Sequence, residues 1–422
     1  MRGVHAGAIV LIGILAMNAG NYAYHLVAGR KLGPSDYSEV VALLTLAGLV
    51  SLPLGGAQMA VARYVARFSA EGRPGDVTGL FRLGLAVSAA VATAIAVVIV
   101  ALTPVFQSAL GIGSVTAIAL TALLTLPSLT MPVVLGVVQG LQRFEVFAAA
   151  LTLGAVIRVT AVIVALAAGF GVAGTIGASV AGTTMSLIVS LALVRRRLRG
   201  PAARIGAVRT EIGRFLVPVV TGLLALTSLT TVDVLVAKAA LGGHEAGIYG
   251  GASLIGRVIL YLPATIVTVL LPKVASRAAR GEATSDILGA SIGVTVALCA
   301  GTTAVYAAMP NLVVRAAYGA DYLDAAPLLW LFGVAMTLYA VINVLLFYHL
   351  AKGAHALSWL LAGAAVTQLA VYALVHGSPY QLIAVSIAGA VAVLVLHEVF
   401  IASALSGAAR AGARLVTAGN RR

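Results

Sequence analysis

The stretch HLVAGRKLG at residues 25–33 returns in altered form as VLVAKAALG at residues 234–242. Both copies share the pattern Leu-Val-Ala-x-x-x-Leu-Gly, and the second begins 209 residues after the first. A further glycine follows the last glycine of each copy at the same distance of 39 residues (Gly33 with Gly72, and Gly242 with Gly281). Since this offset is close to half of the 422 residues, the repeat predicts a chain made of two copies of one structural unit.

The composition is that of a membrane protein. Hydrophobic residues make up 61% of the chain and charged residues 9%, and the mean hydropathy is +1.07. Because ordinary soluble domains contain about 25% charged residues, a water-soluble enzyme is excluded. A membrane helix needs roughly 20 apolar residues, so this length accommodates about twelve helices with short connections and no separate catalytic domain.

Apolar segments interrupted by glycine, proline or charge predict the positions of these helices. All should be helical, because lipid offers the backbone no hydrogen-bond partners and the segments lack the alternation of barrel strands. We therefore predict an all-α polytopic membrane protein with two six-helix lobes, related by a pseudo-two-fold axis along the membrane normal. The lobes are residues 1–198 and 212–422, the second with a short basic tail, and residues 199–211 form a basic cytoplasmic linker. The predicted spans are residues 6–29, 38–62, 80–103, 113–140, 147–169, 172–194, 212–238, 247–272, 285–309, 324–350, 356–376 and 380–407.

The basic residues predict the orientation of the chain. The formal net charge is +14, from 27 Lys and Arg against 13 Asp and Glu. With twelve spans, most of the basic residues fall on the side of the N-terminus, and the positive-inside rule places that side in the cytoplasm. Both termini are then cytoplasmic, and the basic loops face anionic membrane lipids, so we expect no nucleic-acid partner. The first apolar segment follows Arg2 and is interpreted as a retained helix, not as a cleaved signal peptide.

Sequence motifs for catalysis, nucleotides and metals are missing. None of the lysines lies in the Gly-Lys-Ser/Thr context of a phosphate loop. Neither His244-Glu245 nor His397-Glu398 continues to the second histidine of a zinc-protease motif. We therefore predict no catalytic residues, no metal and no cofactor. The single cysteine, Cys299, excludes an intrachain disulfide.

Charged residues inside the predicted spans are the candidate functional residues, because a charge in a bilayer costs several kcal/mol. Arg158 and Arg257 lie in spans of different lobes, and an arginine that faces a central water-filled cavity would attract phosphate or carboxylate oxygens. The alternative is an internal ion pair with a fixed carboxylate such as Asp233. Asp233 and Glu398 are candidates for a proton or coupling-ion site, or for structural roles as an ion-pair partner and as a residue near the membrane surface.

The first predicted span is unusually polar in its second half, where it contains Asn21, Tyr24 and His25. These side chains are candidates for lining the same central cavity and for meeting a diphosphate or glycan. The alternative is that they form hydrogen bonds with neighbouring helices.

Three segments resemble bacterial polysaccharide flippases: residues 32–72, 231–281 and 318–353. The most specific likeness is in TVDVLVAKAALGGHEAGIYGG and the LLPKVASRAARG that ends the segment, with Asp233, the turn Gly247-Ile248-Tyr249 and a Leu-Pro-Lys exit. The chain is identified as a member of the oligosaccharide-flippase branch of the multidrug/oligosaccharidyl-lipid/polysaccharide exporter (MOP) superfamily.

This resemblance implies a V-shaped bundle of twelve helices in the bacterial cytoplasmic membrane. It also implies that the protein moves polyprenyl-diphosphate-linked oligosaccharides from the inner to the outer leaflet by alternating access, for cell-surface polysaccharide biosynthesis. The implied partners are the lipid-linked glycan, H⁺ or Na⁺ as a coupling ion, and glycan-assembly enzymes. The alternatives are an ion-coupled multidrug antiporter of the same superfamily, a membrane glycosyltransferase or ligase, and a non-transporting assembly partner.

Overall fold

The structure is a computed structural model that describes residues 2–51, 54–196, 198, 206–263, 266, 270, 274, 276, 277 and 280–401, without the side chains of residues 2–8 and 206–210. Two predicted features therefore lie wholly or largely outside the described residues: the basic tail after residue 401 and most of the linker 199–211. Fourteen α-helices and one 3-10 helix occupy the described part. They are α1 (Arg2–Ser51), α2 (Gly55–Ala70), α3 (Pro74–Ala101), α4 (Thr103–Leu110), α5 (Val115–Gly140), α6 (Phe144–Ala167), α7 (Gly171–Arg195), α8 (Gly206–Ala240), α9 (Gly243–Tyr261), α10 (Ser285–Ala308), α11 (Pro310–Ala317), the 3-10 helix (Ala320–Leu328), α12 (Leu329–Ala351), α13 (Ala356–Leu374) and α14 (Pro379–Phe400).

The prediction of an all-α membrane protein is confirmed. Ten helical segments of the described chain are long and apolar enough to cross a membrane. The longest, Ile9–Ala70, has 62 residues and contains the predicted span 38–62 and all but the first three residues of the predicted span 6–29. The predicted span 247–272 begins in α9, but most of its residues after Pro263 lie outside the described part.

Gly33 divides the long first segment into two. Its φ of 71° and ψ of 172° interrupt the helical geometry inside α1, and Pro34 follows directly. A positive φ is accessible to glycine without the clash that a Cβ would cause. The repeat partner of Gly33 is Gly242, which caps the start of α9. In both copies the final glycine of the repeated stretch thus marks the junction between two successive helices.

The chain forms two compact units, Met1–Val220 and Thr221–Arg422. Their helices follow a similar order. In the first unit the long helix α3 is followed by the eight-residue helix α4, and in the second the long helix α10 is followed by the eight-residue helix α11. Three long helices then follow in each unit, α5 to α7 and α12 to α14. The unit boundary falls within α8, and the predicted lobe limits at residues 198 and 212 stay predictions.

Side chains are distributed as a bilayer requires. Within the first unit, α2, α3, α5, α6 and α7 enclose an apolar core that includes Val65, Phe68, Phe81 and Val134. Large apolar side chains also cover the outside of the helices, as at Leu374 on α13, which is 83% exposed. An exposed apolar surface is stable where lipid, not water, is the solvent.

Candidate functional site

Arg158 lies where three helices of the first unit meet. Its Nη1 donates to the Asn21 Oδ1 atom of α1 at 2.6 Å, and its Nε donates to the Ser179 Oγ atom of α7 at 3.0 Å. The guanidinium carbon lies 3.8 Å from the centroid of the Tyr24 ring. The Tyr24 hydroxyl in turn donates to the Thr175 carbonyl oxygen at 2.8 Å, which fixes the ring below the guanidinium.

Glycines permit this convergence. A Cβ at Gly182 on α7 would lie 2.8 Å from the Arg158 Cβ and 2.7 Å from the Gly154 carbonyl oxygen. A Cβ at Gly20 on α1 would lie 2.7 Å from the Ala155 Cβ. Backbones of membrane helices approach closely where small residues face each other. The glycines therefore bring α1 and α7 against the part of α6 that holds Arg158.

The charge of Arg158 is not matched by an acid among the described residues, where no carboxylate lies within 4.0 Å of its nitrogen atoms. Its partners are a neutral amide, a neutral hydroxyl and an aromatic face. The side chain is partly buried, while Asn21 is exposed. A guanidinium has five N–H donors, so Arg158 retains donor capacity as well as a positive charge.

Arg257 has a different environment in the second unit. Its Nη2 lies 3.0 Å from the Asp233 Oδ1 atom, and its Nε donates to the Thr230 carbonyl oxygen at 2.9 Å. The Tyr249 hydroxyl donates to the other carboxylate oxygen of Asp233 at 2.8 Å. Arg257 is 7% exposed and Asp233 1% exposed. This geometry is the internal ion pair that the sequence left open as the alternative to a cavity role for Arg257.

A buried hydrogen-bond network in the same unit involves Gln368. Its Nε2 donates to the Leu229 carbonyl oxygen at 3.0 Å and to the Tyr372 hydroxyl at 3.1 Å, and its Oε1 accepts from the Tyr339 hydroxyl at 2.9 Å. Ser386 on α14 completes the network through the Tyr372 hydroxyl at 2.7 Å. Helices α8, α12, α13 and α14 are thus joined by polar side chains inside a mostly apolar unit.

The remaining predicted residues lie elsewhere. The His25 Nδ1 atom is 3.0 Å from the Tyr37 hydroxyl, across the break at Gly33, and the side chain is buried. His25 is edge-on to the Tyr24 ring, with centroids 5.2 Å apart, so it borders the Arg158 cluster. Glu398 is partly buried in the last turn of α14, about 18 Å along that helix from Ser386. Its role and those of the other predicted site residues stay predictions.

A contact between two histidines near the ends of α12 and α14 was not predicted from the sequence. The Nε2 atoms of His349 and His397 lie 2.9 Å apart, and both side chains are buried. The Nδ1 atom of His397 has no hydrogen-bond partner in the described structure. The two residues are 48 positions apart on separate helices, so sequence spacing carries no signal of their contact. As to metals, the described residues contain no group of three or more His, Cys, Asp or Glu side chains arranged to hold an ion.

Comparison with known proteins shows that solved structures share this fold. Among solved structures the chain is similar to a multidrug resistance MATE family transporter of the MOP superfamily in an inward-facing conformation, with 17% identity, 96% of this chain and 98% of that chain covered, and a TM-score of 0.72. It is also similar to the lipid II flippase MurJ in an inward closed conformation, with 14% identity, 97% and 92% covered, and a TM-score of 0.69. A third similar structure is a MOP superfamily transporter from Pyrococcus furiosus, described as having a binding pocket of reverse polarity, with 15% identity, 97% and 95% covered, and a TM-score of 0.64.

At these identities the structural matches show the fold, and the family comes from the sequence itself. No curated protein matches the chain. A family model described as "Polysaccharide biosynthesis protein" matches residues 7–277, which is more than half of the chain. The predicted resemblance is thereby confirmed at the level of the family. The chain is a multi-pass membrane protein that belongs to the polysaccharide biosynthesis protein family, and its fold is that of solved transporters of the MOP superfamily.

Proposed function

We propose that this protein is a flippase for lipid-linked oligosaccharides. In this proposal it moves a polyprenyl-diphosphate-linked glycan from the inner to the outer leaflet of a bacterial cytoplasmic membrane by alternating access. The observation that carries the proposal is the uncompensated positive charge of Arg158 inside an apolar helical unit. A membrane protein keeps such a charge at considerable cost, which favours a functional role.

The chemistry of the Arg158 cluster suits a diphosphate. The planar guanidinium presents parallel N–H groups, which match phosphate oxygens in a way that an ammonium group does not. The Tyr24 ring covers one face of the guanidinium. The N–H groups that do not donate to Asn21 or Ser179 remain as donors for a ligand. The exposed amide of Asn21 supplies a donor and an acceptor of the kind that sugar hydroxyls bind. His25, which borders Tyr24, completes the proposed substrate contacts.

Asp233 bears on the alternative of an ion-coupled multidrug antiporter. Such a protein would use an acidic residue that is available to a coupling ion or a cationic drug. Both carboxylate oxygens of Asp233 are already engaged, one by Arg257 and one by Tyr249. We therefore favour the flippase, in which Asp233 and Arg257 form a structural pair. Either H⁺ or Na⁺ serves as the coupling ion in this proposal.

The proposal includes an orientation and a set of partners. Both termini lie in the cytoplasm, and the basic connections meet the anionic lipids of the inner leaflet. Glycan-assembly enzymes supply the lipid-linked substrate on that side. The protein itself performs no covalent chemistry, because flipping changes only the leaflet in which the glycan lies.

Transport by Arg158 variants in reconstituted vesicles tests the proposal. Wild-type protein, Arg158→Gln, Arg158→Lys and the surface control Arg315→Gln would each be supplied with a labelled polyprenyl-diphosphate oligosaccharide, and arrival in the opposite leaflet would be followed. We expect loss of transport in Arg158→Gln, partial transport in Arg158→Lys because the charge remains, and wild-type transport in Arg315→Gln. Wild-type transport by a folded Arg158→Gln variant would contradict the assignment of the site.

A further inference from the structure

A second basic site lies in the first unit, in a cavity of about 350 Å³. Four of the lining side chains come from one face of α3, where their spacing makes them neighbours on the helix surface. The other two come from the last residue of α7 and from the residue three positions after it. The lining residues are Thr78, Phe81, Arg82, Leu85, Arg195 and Leu198. Among the residues that the structure describes, the cavity is thus lined by two arginines and by no acidic side chain.

The lack of an acid distinguishes this cavity from neighbouring basic positions. Arg67 pairs with Glu71 at 2.9 Å, and Arg73 pairs with Glu71 at 2.7 Å and with Asp76 at 2.6 Å. Hydrogen bonds from Arg67 and Arg73 hold the pKa of the Glu71 carboxyl below its ordinary value. Within the described ranges no such ion pair involves Arg82 or Arg195.

Two arginines that share a cavity repel each other, and an anion between them would offset that repulsion. A phosphate group is the natural partner, since its several oxygen atoms accept hydrogen bonds from two guanidinium groups at once. The other walls define the environment of this group. Phe81, Leu85 and Leu198 are part of, or pack against, the apolar core of the first unit. A fully hydrated soluble anion makes no favourable contact with such apolar walls. The headgroup region of a lipid can place its phosphate against the arginines and its apolar part against these walls.

The depth of the cavity agrees with a lipid headgroup. Arg82 lies eight residues after the first residue of α3, which is about 12 Å along the helix. Arg195 is the last residue of α7. Both arginines are exposed. By the predicted orientation this end of the unit faces the cytoplasm, where anionic lipids attract basic residues.

We propose that Arg82 and Arg195 together bind the phosphate group of a membrane lipid. This site is separate from the Arg158 cluster and does not depend on the proposed transport activity. Two sources offer the same chemistry: an anionic phospholipid of the bilayer, and the diphosphate of a polyprenyl-linked molecule. The experiment must therefore distinguish them.

Ligand-dependent thermal unfolding of the full-length protein in a neutral detergent is the first test. The added probes are phosphatidylglycerol, phosphatidylcholine, a polyprenyl diphosphate and inorganic pyrophosphate. A ligand that binds the folded protein raises the unfolding temperature. We expect phosphatidylglycerol to raise it in the wild type but not in the double variant Arg82→Gln/Arg195→Gln, or the polyprenyl diphosphate to raise it less in the double variant, where only the Arg158 cluster still binds it. The lipid whose effect the double variant reduces identifies the source.

Arg143→Gln is the matched control, because it removes one exposed arginine from the same unit that does not line this cavity. It should keep the wild-type response. Equal loss in Arg143→Gln and the double variant would indicate general attraction to basic residues and would overturn the proposal. Stabilisation by pyrophosphate alone, or by no probe, would overturn it as well. Native mass spectrometry gives a second readout, in which the folded double variant should lose a bound lipid that the wild type retains, and equal lipid retention would contradict the site.

Discussion

The guanidinium carbon of Arg158 lies 3.8 Å from the centroid of the Tyr24 ring, and this contact joins α6 to α1 in the first unit. The ring is fully buried, and its hydroxyl is held by the Thr175 carbonyl oxygen. A cation over an aromatic ring gains about 1 kcal/mol, or more where water is excluded. The orientation of the charge in the proposed diphosphate site therefore depends on an aromatic residue at position 24.

Replacing the ring should weaken substrate binding. We expect Tyr24→Leu to lower the affinity for a polyprenyl-diphosphate glycan by roughly fivefold, which corresponds to the loss of about 1 kcal/mol. Tyr24→Phe keeps the ring below Arg158 and should bind more tightly than Tyr24→Leu. Equilibrium binding to the purified variants measures both. Equal affinity in Tyr24→Leu and the wild type would show that the ring does not support the site.

The ion pair of Asp233 and Arg257 should behave as a structural unit. Removing one partner of a buried pair leaves an uncompensated charge and costs about 3–5 kcal/mol. We expect Asp233→Asn and Arg257→Gln each to lower the unfolding temperature strongly. The double variant should lose less than the sum of the two, because neither charge is then left alone. Additive losses in the unfolding measurements would contradict this coupling.

Gly182 should tolerate no larger residue. A Cβ at this position meets the Gly154 carbonyl oxygen at 2.7 Å and the Arg158 Cβ at 2.8 Å, so Gly182→Ala forces α6 and α7 apart. Overpacking of this kind costs about 1–3 kcal/mol. Gly293 in α10 is the matched control, because nothing lies within 4 Å of its Cβ position. Thermal unfolding should therefore show a loss for Gly182→Ala and no loss for Gly293→Ala, and the reverse order would refute the argument.

The histidine pair at the ends of α12 and α14 should contribute to stability. One imidazole donates to the other across the 2.9 Å between the Nε2 atoms of His349 and His397. Replacing His349 by Leu leaves the buried His397 without this partner, and an unsatisfied buried polar group costs about 1–3 kcal/mol. The exposed His244 provides the control substitution His244→Leu. The unfolding temperature should fall for His349→Leu only. An unchanged unfolding temperature in His349→Leu would show that the histidine pair does not stabilise the fold.

The architecture could be predicted from the repeated stretch and the apolar segments, because both can be recognised in the sequence without knowing which residues contact each other. The predicted spans left Gly33 and Gly242 in connections between helices, and the structure has a helix junction at each. Helices α4 and α11 were missed because the apolar segments were ended at residues 103 and 309. A signal was present, since Pro104 and Pro310 each stand in the first turn of a new helix, where proline is favoured.

The candidate site could be predicted only in part, because its contacts depend on how the helices pack. Polar residues in apolar helices indicated Arg158, Asn21 and Tyr24, and the structure brings these three together. Ser179 gave no signal, because serine is common in membrane helices and its contact with Arg158 depends on how α6 and α7 pack. For the same reason sequence could not decide whether Arg257 was free or paired with Asp233, since the two positions are 24 residues apart on different helices.

The central claim is that the substrate carries a diphosphate and not a positive charge. The most direct measurement compares two substrates in the same wild-type vesicles: a polyprenyl-diphosphate oligosaccharide, followed between leaflets, and a cationic drug, followed across the membrane under H⁺ and Na⁺ gradients. Our account predicts movement of the lipid-linked oligosaccharide and none of the drug above empty vesicles. Gradient-driven movement of the drug, with the lipid-linked oligosaccharide left in its original leaflet, would contradict the account and identify a multidrug antiporter.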